Sequence, residues 1–215
     1  MSEINFRPWV GKNYLSKGYK GKRVLVLGVS HYCKENLEED GRCYPLCKQE
    51  NFISGCSSFT EEVLHDIVYS YSGEKYQQTF LCFERAVVGK VLTQEEREEF
   101  WESVMFYNYI QYAQAGPRMP LQPGYEEKSE KAFKELLEQY MPDLIIVWGV
   151  TLYGIMPDWG GVESVLKISD DAQTKVRTYT INGKKIPAIV VQHPSTPIGK
   201  NWGYWHDYYK KIFGS

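Results

Sequence analysis

Val24-Leu25-Val26-Leu27-Gly28-Val29-Ser30-His31-Tyr32 is the stretch whose reading decides the fold. Four consecutive apolar residues cannot alternate between core and solvent, so 24–27 reads as a strand buried on both faces, as in an α/β sheet. Gly28 ends the run, and Ser30, His31 and Tyr32 follow as a polar cluster. Leu144-Ile145-Ile146-Val147-Trp148 repeats the pattern and ends at Gly149, ahead of Val150 and Thr151. A third apolar run, Ala188-Ile189-Val190-Val191, passes straight into Gln192-His193-Pro194-Ser195. It lies in the second arm of a hairpin, because residues 176–181 and 184–192 flank Asn182-Gly183, a strong two-residue turn signal.

Helical patterns separate these runs. Ser58-Phe59-Thr60-Glu61 resembles a capping box opening a helix with Val63, Leu64, Ile67, Val68 and Tyr71 on one stripe, and Gly73 ends it. Thr93-Gln94-Glu95-Glu96 is a second box, leading into a helix through Phe100 and Trp101. Asn108 follows this amphipathic stretch within Val104-Met105-Phe106-Tyr107-Asn108-Tyr109. A third helix over 126–140 buries Phe133, Leu136, Leu137 and Tyr140 and stops before Pro142. The aromatic- and Lys-rich segment 202–213 forms a closing helix. No repeat, linker or low-complexity tract interrupts the chain. The expectation is one domain over 1–215, a three-layer α/β/α fold around a mostly parallel sheet.

Composition narrows the class. The 215 residues are 43% hydrophobic and 24% charged, enough for a core of their own. The longest aliphatic or Trp runs fall far short of the roughly 20 residues a membrane helix needs. Residues 1–7 carry no apolar export segment, and five cysteines do not form a disulfide framework. The expectation is a soluble, cytoplasmic protein that avoids membranes, with a monomer as the default state. The net charge of −2 is unevenly spread: residues 1–23 carry +5, residues 175–215 carry +6, and the middle −13. If the two ends meet in space they make a basic face of the kind that binds phosphates. Ordinary solvated surface explains the same numbers equally well.

In open α/β sheets ligands sit beyond the carboxyl ends of the central strands. The clusters at 30–32, 149–151 and 193–195 all follow apolar strands, so at least the first and last are expected to meet at one rim.

At this point the sequence resembles the uracil-DNA glycosylase superfamily. The motifs that carry the resemblance are VLVLGVSHY (24–32), FYNYI (106–110), PDLIIVWG (142–149) and VVQHPS (190–195), in that order over roughly 22–200. In that superfamily the first strand ends in a Gly-x-Asp-Pro-Tyr-type loop that positions the attacking water. A later strand ends in an Asn that reads the base, and a His-Pro-Ser loop ends the last strand. The wording G-x-S-H-Y is similar to that of a bacterial branch of the superfamily. The resemblance implies hydrolysis of the N-glycosidic bond of a deaminated base, uracil or hypoxanthine, in DNA, without a cofactor.

Carried onto this chain, the resemblance gives His193 the donor to the developing oxyanion on the base. Asn108 offers an amide donor and acceptor to the base edge, Gly28 and Tyr32 wall the pocket, and Tyr107 or Phe106 stacks on the base. Ser195 bonds a backbone phosphate. The plainer readings stand beside these. His193 before a proline can end a strand with its ring bonded to a neighbour, and Asn108 can cap a helix. A Tyr in a chain with 17 of them is more often core than platform.

The resemblance breaks at one place. Where the best-known branch has a catalytic Asp in the first loop, this chain has Ser30, followed by His31 where Pro usually stands. Serine cannot serve as a carboxylate base, so His31 is the expected substitute, orienting the water. The alternative is a catalytically inactive protein of the same fold that binds a nucleotide or nucleic acid. A serine hydrolase with Ser30 as nucleophile is remote, because Tyr32 occupies the second Gly of the Gly-x-Ser-x-Gly elbow. Cys33, Cys43, Cys47 and Cys56 lie close together, and some relatives in the superfamily hold an iron–sulfur cluster. Their cysteines are spread differently, and one C-x₃-C with two singles is loose for zinc, so the expectation is no metal.

Overall fold

The computed structural model describes residues 2–32, 56–114, 121, 124–197, 199 and 201–214. In chain order the elements are β1 (Trp9–Val10), β2 (Val24–Gly28), α1 (Phe59–Tyr69), α2 (Gln77–Val88), α3 (Gln94–Trp101) and β3 (Met105–Asn108). They continue with α4 (Tyr125–Tyr140), β4 (Leu144–Trp148), α5 (Val150–Ile155), β5 (Val162–Lys167), β6 (Gln173–Ile181), β7 (Lys184–Val191) and α6 (Trp202–Phe213). The strands form one seven-stranded sheet in the order β1-β3-β2-β4-β7-β6-β5.

The central four strands, β3, β2, β4 and β7, run parallel. β1 joins antiparallel to β3, and β6 and β5 extend the other side antiparallel. The sheet is therefore mixed, and the expected mostly parallel character holds only at its centre. The Asn182-Gly183 turn explains the departure: with φ of 48° and 79° it closes a tight hairpin, which joins only antiparallel strands.

Residues on alternate sides of each strand feed two separate cores. Val24, Val26, Phe106, Ile146, Trp148, Ile189 and Val191 pack with α1, α2, α3 and α6. Leu25, Leu27, Met105, Tyr107, Ile145, Val147 and Val190 pack with α4 and α5. Helices thus cover both faces, giving the three-layer α/β/α arrangement, and the apolar runs of β2 and β4 are buried throughout.

Several elements differ from the sequence reading. The segment Met105–Asn108 is a strand, and the helix before it ends at Trp101. Its side chains alternate between the two cores, and paired with β2 all four are buried. The Thr93–Glu96 capping box forms as expected, whereas the one proposed at Ser58 does not. Glu61 pairs instead with Arg7, and the Ser58 hydroxyl bonds Glu62. That helix ends at Tyr69, short of Gly73, and Tyr71 is exposed. Helix α2, absent from the sequence reading, supplies Phe80 and Phe83 to the first core. Glu84 on α2 is fully buried, and its carboxylate accepts from Arg97 Nε at 3.1 Å and Trp101 Nε1 at 2.9 Å.

Phe83 touches the rings of Phe100, Trp101, Trp148 and Tyr209. Truncation to Phe83→Ala should lower the unfolding free energy by about 3–5 kcal/mol in urea titrations. A loss below about 1 kcal/mol would contradict this packing.

Candidate functional site

Because β2, β3, β4 and β7 are parallel, their carboxyl ends share one edge. Gly28 and Asn108 are register partners at the ends of β2 and β3, and Trp148 and Val191 at the ends of β4 and β7. The two-residue alternation puts Gly28, Asn108 and Trp148 on the same face as Phe106. His193 follows Val191 by two residues, and its ring lies edge-on to Trp148, with centroids 5.9 Å apart. Trp148 in turn meets Phe106 at 5.2 Å. An amide and an imidazole are therefore held at one rim, with two aromatic rings between their strands.

The Asn108 amide depends on a missing side chain. A Cβ on Gly28 would lie 2.3 Å from Asn108 Oδ1, so glycine is what lets the amide fold over the end of β2. The turn behind it is fastened by Gln111, whose Nε2 donates to the carbonyls of Asn108 and Tyr109 at 3.0 and 3.3 Å. Alongside, Tyr109 and Ile110 donate backbone bonds to Gly28 and Val29, and Gln114 donates to His31.

His31 is buried, not open at the rim. Its ring stacks on Phe59 at 4.6 Å and meets Phe6 edge-on at 4.7 Å. Nε2 lies 2.9 Å from Thr60 Oγ1, and Asn108 Nδ2 lies 3.2 Å from both ring nitrogens. A neutral imidazole accepts at one nitrogen only. With Nε2–H donated to Thr60, Nδ1 accepts from Asn108, an assignment made from the network. Burial pushes the His31 pKa down to about 3, so the ring stays neutral. This surrounding gives His31 the job of holding the Asn108 amide.

His193 is half-buried on a closed loop. Its carbonyl accepts from Thr196 N and Oγ1 at 3.0 and 2.9 Å, and a Cβ on Gly199 would stand 2.1 Å from that oxygen. Nδ1 accepts from the Ser195 amide at 3.2 Å and lies 2.8 Å from the Ser195 hydroxyl. An accepting Nδ1 places the proton of the neutral ring on Nε2. Burial lowers the pKa of His193, favouring that neutral form. No described residue bonds Nε2, leaving it a free donor.

The remaining sequence candidates divide. Tyr107 alternates away from Asn108 into the second core, fully buried, so it cannot stack on anything held by Asn108. Phe106 stands on the Asn108 side. Ser30 is buried, and its hydroxyl has no partner among the described residues. Tyr32 is exposed and pairs with Gln114, and Ser195 is exposed. Sequence reading missed Phe6, Phe59, Thr60 and Gln111, which build the second layer from distant segments. Nothing in linear order marks them.

The basic ends do meet, since the rings of Tyr19 and Phe213 are 5.0 Å apart. Lys22 and Arg23 precede β2, Lys184 and Lys185 open β7, and Lys210 and Lys211 close α6. All lie toward the amino-terminal edge, opposite the Asn108–His193 rim, and Asp143 pairs with both Arg23 and Lys184. Lys167 and Lys175, near the turn between β5 and β6, flank the carboxyl edge instead. Cys33, Cys43 and Cys47 lie outside the described residues. Among those described, no group of three or more His, Cys, Asp or Glu could hold a metal ion, and no helix is long and apolar enough to cross a membrane.

No protein-family model matches the chain, and no curated protein is significantly similar to it.

An unfolded chain's imidazole binds a proton near pH 6.5, whereas folded His31 does so only near 3. Between those values the unfolded state holds more protons, so stability is complete above 6.5 and falls as the pH drops. Lowering the pH from 7 to 5 should cost the native protein about 2 kcal/mol more than the His31→Gln variant. Equal losses in paired urea titrations would place His31 in contact with solvent.

Proposed function

We propose that the protein is a DNA glycosylase-like hydrolase that cleaves the N-glycosidic bond of a deaminated base, uracil or hypoxanthine. The carrying observation is the fixed pair of Asn108 and neutral His193 at one rim, each held by a second partner in a defined orientation. The resemblance of the 24–32, 106–110, 142–149 and 190–195 motifs points the same way.

Uracil and hypoxanthine share a ring N–H beside a carbonyl, the edge that deamination creates. Asn108 Oδ1, which makes no hydrogen bond to a described residue, accepts from that N–H, while Nδ2 donates to the carbonyl. His31 sets this polarity, because it accepts from Nδ2 and so fixes which end of the amide is which. Cytosine and adenine present the opposite pattern, an acceptor beside an amino group, and meet mismatched dipoles. Phe106 and Trp148 are buried core rings that close the site from below.

In the reaction water attacks the sugar carbon, and the bonding pair of the N-glycosidic bond leaves with the base. Negative charge spreads onto the base carbonyl, and His193 Nε2–H donates to it without needing to be cationic. Ser195 takes a backbone phosphate, and Lys175 supplies nearby positive charge.

A second reading keeps the Asn108–His193 rim and drops the chemistry. No described carboxylate bonds Ser30, His31, Asn108 or His193, so nothing among the described residues activates water as an Asp would. That observation favours slow hydrolysis, or binding of the base without cleavage.

Incubation with oligonucleotides containing uracil, hypoxanthine or xanthine separates the two. Base release is expected from at least one, reduced roughly 10²–10³-fold by His193→Ala. Binding measured by anisotropy without any release would establish the second reading, and neither binding nor release would remove both. A further expectation is that His31→Gln erodes the preference for uracil over cytosine more than it lowers the rate on uracil. An unchanged preference would mean that something other than His31 orients the amide.

A further inference from the structure

β5 is the outermost strand on the antiparallel side of the sheet. All six residues pair with β6 in unbroken register, from Val162 opposite Thr178 to Lys167 opposite Gln173. Among the described residues no strand pairs with its outer edge, so backbone donors and acceptors there face outward. Proteins usually blunt such edges with very short strands, prolines, bulges or charges. β5 has six residues, no proline and no bulge; its two charges, Glu163 and Lys167, are of opposite sign, and it exposes Val162 and Val165 at 68% and 55%.

We propose that this edge pairs antiparallel with β5 of a second copy of the chain, centred on Val165. The proposal stands independently of the glycosylase reading and replaces the monomer assumed by default. Side chains alternate between faces, and a two-fold axis through the sheet keeps each face on its own side. Residue i must therefore oppose a residue of the same parity, so the axis passes through one residue. Centring on Val165 sets Glu163 of each copy opposite Lys167 of the other, with the two Val165 side chains between these pairs. Centring on Ser164 or Leu166 leaves both charges without opposite-sign partners on β5. Glu163 then lies between Arg177 of its own sheet, already paired with it at 2.5 Å, and the second copy's Lys167. Ser164 faces Leu166 across the other side. The result is one continuous sheet of fourteen strands, twice the seven in each chain.

The geometry gives a sharp test by cysteine cross-linking of the full chain under mild oxidation, with unsubstituted protein as the background. In Val165→Cys the two thiols face each other with Cβ atoms about 4.5–5.5 Å apart, and a covalent dimer is expected. Val162→Cys is just as exposed, yet in this register its two copies lie roughly 20 Å apart and should not link. Lys167→Glu sets like charges opposite each other at both ends. It should weaken the dimer roughly tenfold in sedimentation velocity, with circular dichroism unchanged. A chain that stays monomeric at every concentration overturns the proposal, as does equal linking by both cysteine variants or a dimer indifferent to Lys167→Glu.

Discussion

The register between β2 and β3 is the constraint on which the rest of the site depends. Gly28 stands opposite Asn108, and the absence of a side chain there lets the amide lie over the strand end. Because strand side chains alternate with a period of two, a slip of one residue would invert the arrangement. Tyr107 would then reach the rim, and Asn108 would be driven into the core beneath α4 with its amide unsatisfied. The apolar side chains of both strands oppose that slip, since Phe106 and Met105 are each matched to a different core. Hydrophobic patterning far larger in energy than any one hydrogen bond thus decides where the Asn108 amide can stand.

Around that register the two histidine rings are each held by named partners. His31 sits between Phe6 and Phe59, where an imidazolium would be costly, and burial keeps it neutral. Neutrality is useful, since only a neutral ring can accept from Asn108 at one nitrogen while donating to Thr60 at the other. His193 is oriented by a different device, the Ser195 amide at Nδ1, which leaves Nε2–H without a partner among the described residues. Two histidines in one chain are thus held in opposite manners, one enclosed in aromatic rings and one presented on a tight loop.

How legible this was differs by element. β2 and β4 could be read directly, because unbroken apolar runs have few alternatives to a strand buried on both faces. The 182–183 turn was equally plain, since its positive φ values suit Asn and Gly. β3 was not legible as a strand: Val104-Met105-Phe106-Tyr107 continues a helical stretch without a break signal, and only pairing with β2 makes it extended. β5 was missed because its exposed, polar-interrupted sequence has no hydrophobic face of its own and depends on β6. At the site, Asn108 and His193 were visible as polar residues closing apolar runs. The burial of His31 was not visible, because Phe6 precedes it and the Phe59-Thr60 pair follows it in separate segments that only folding brings against its ring.

The sequence by itself determined the two-core α/β architecture and the edge at which the candidate residues Asn108 and His193 gather. Both follow from local periodicity and from the rule that parallel strands end together. Tertiary structure alone decided that Tyr107 turns away and that His31 supports Asn108 from behind. It also decided that the basic termini converge on the far edge, beside Asp143. Those outcomes depend on strand register and helix docking, which are set by packing between residues some hundred positions apart, and no local pattern encodes them.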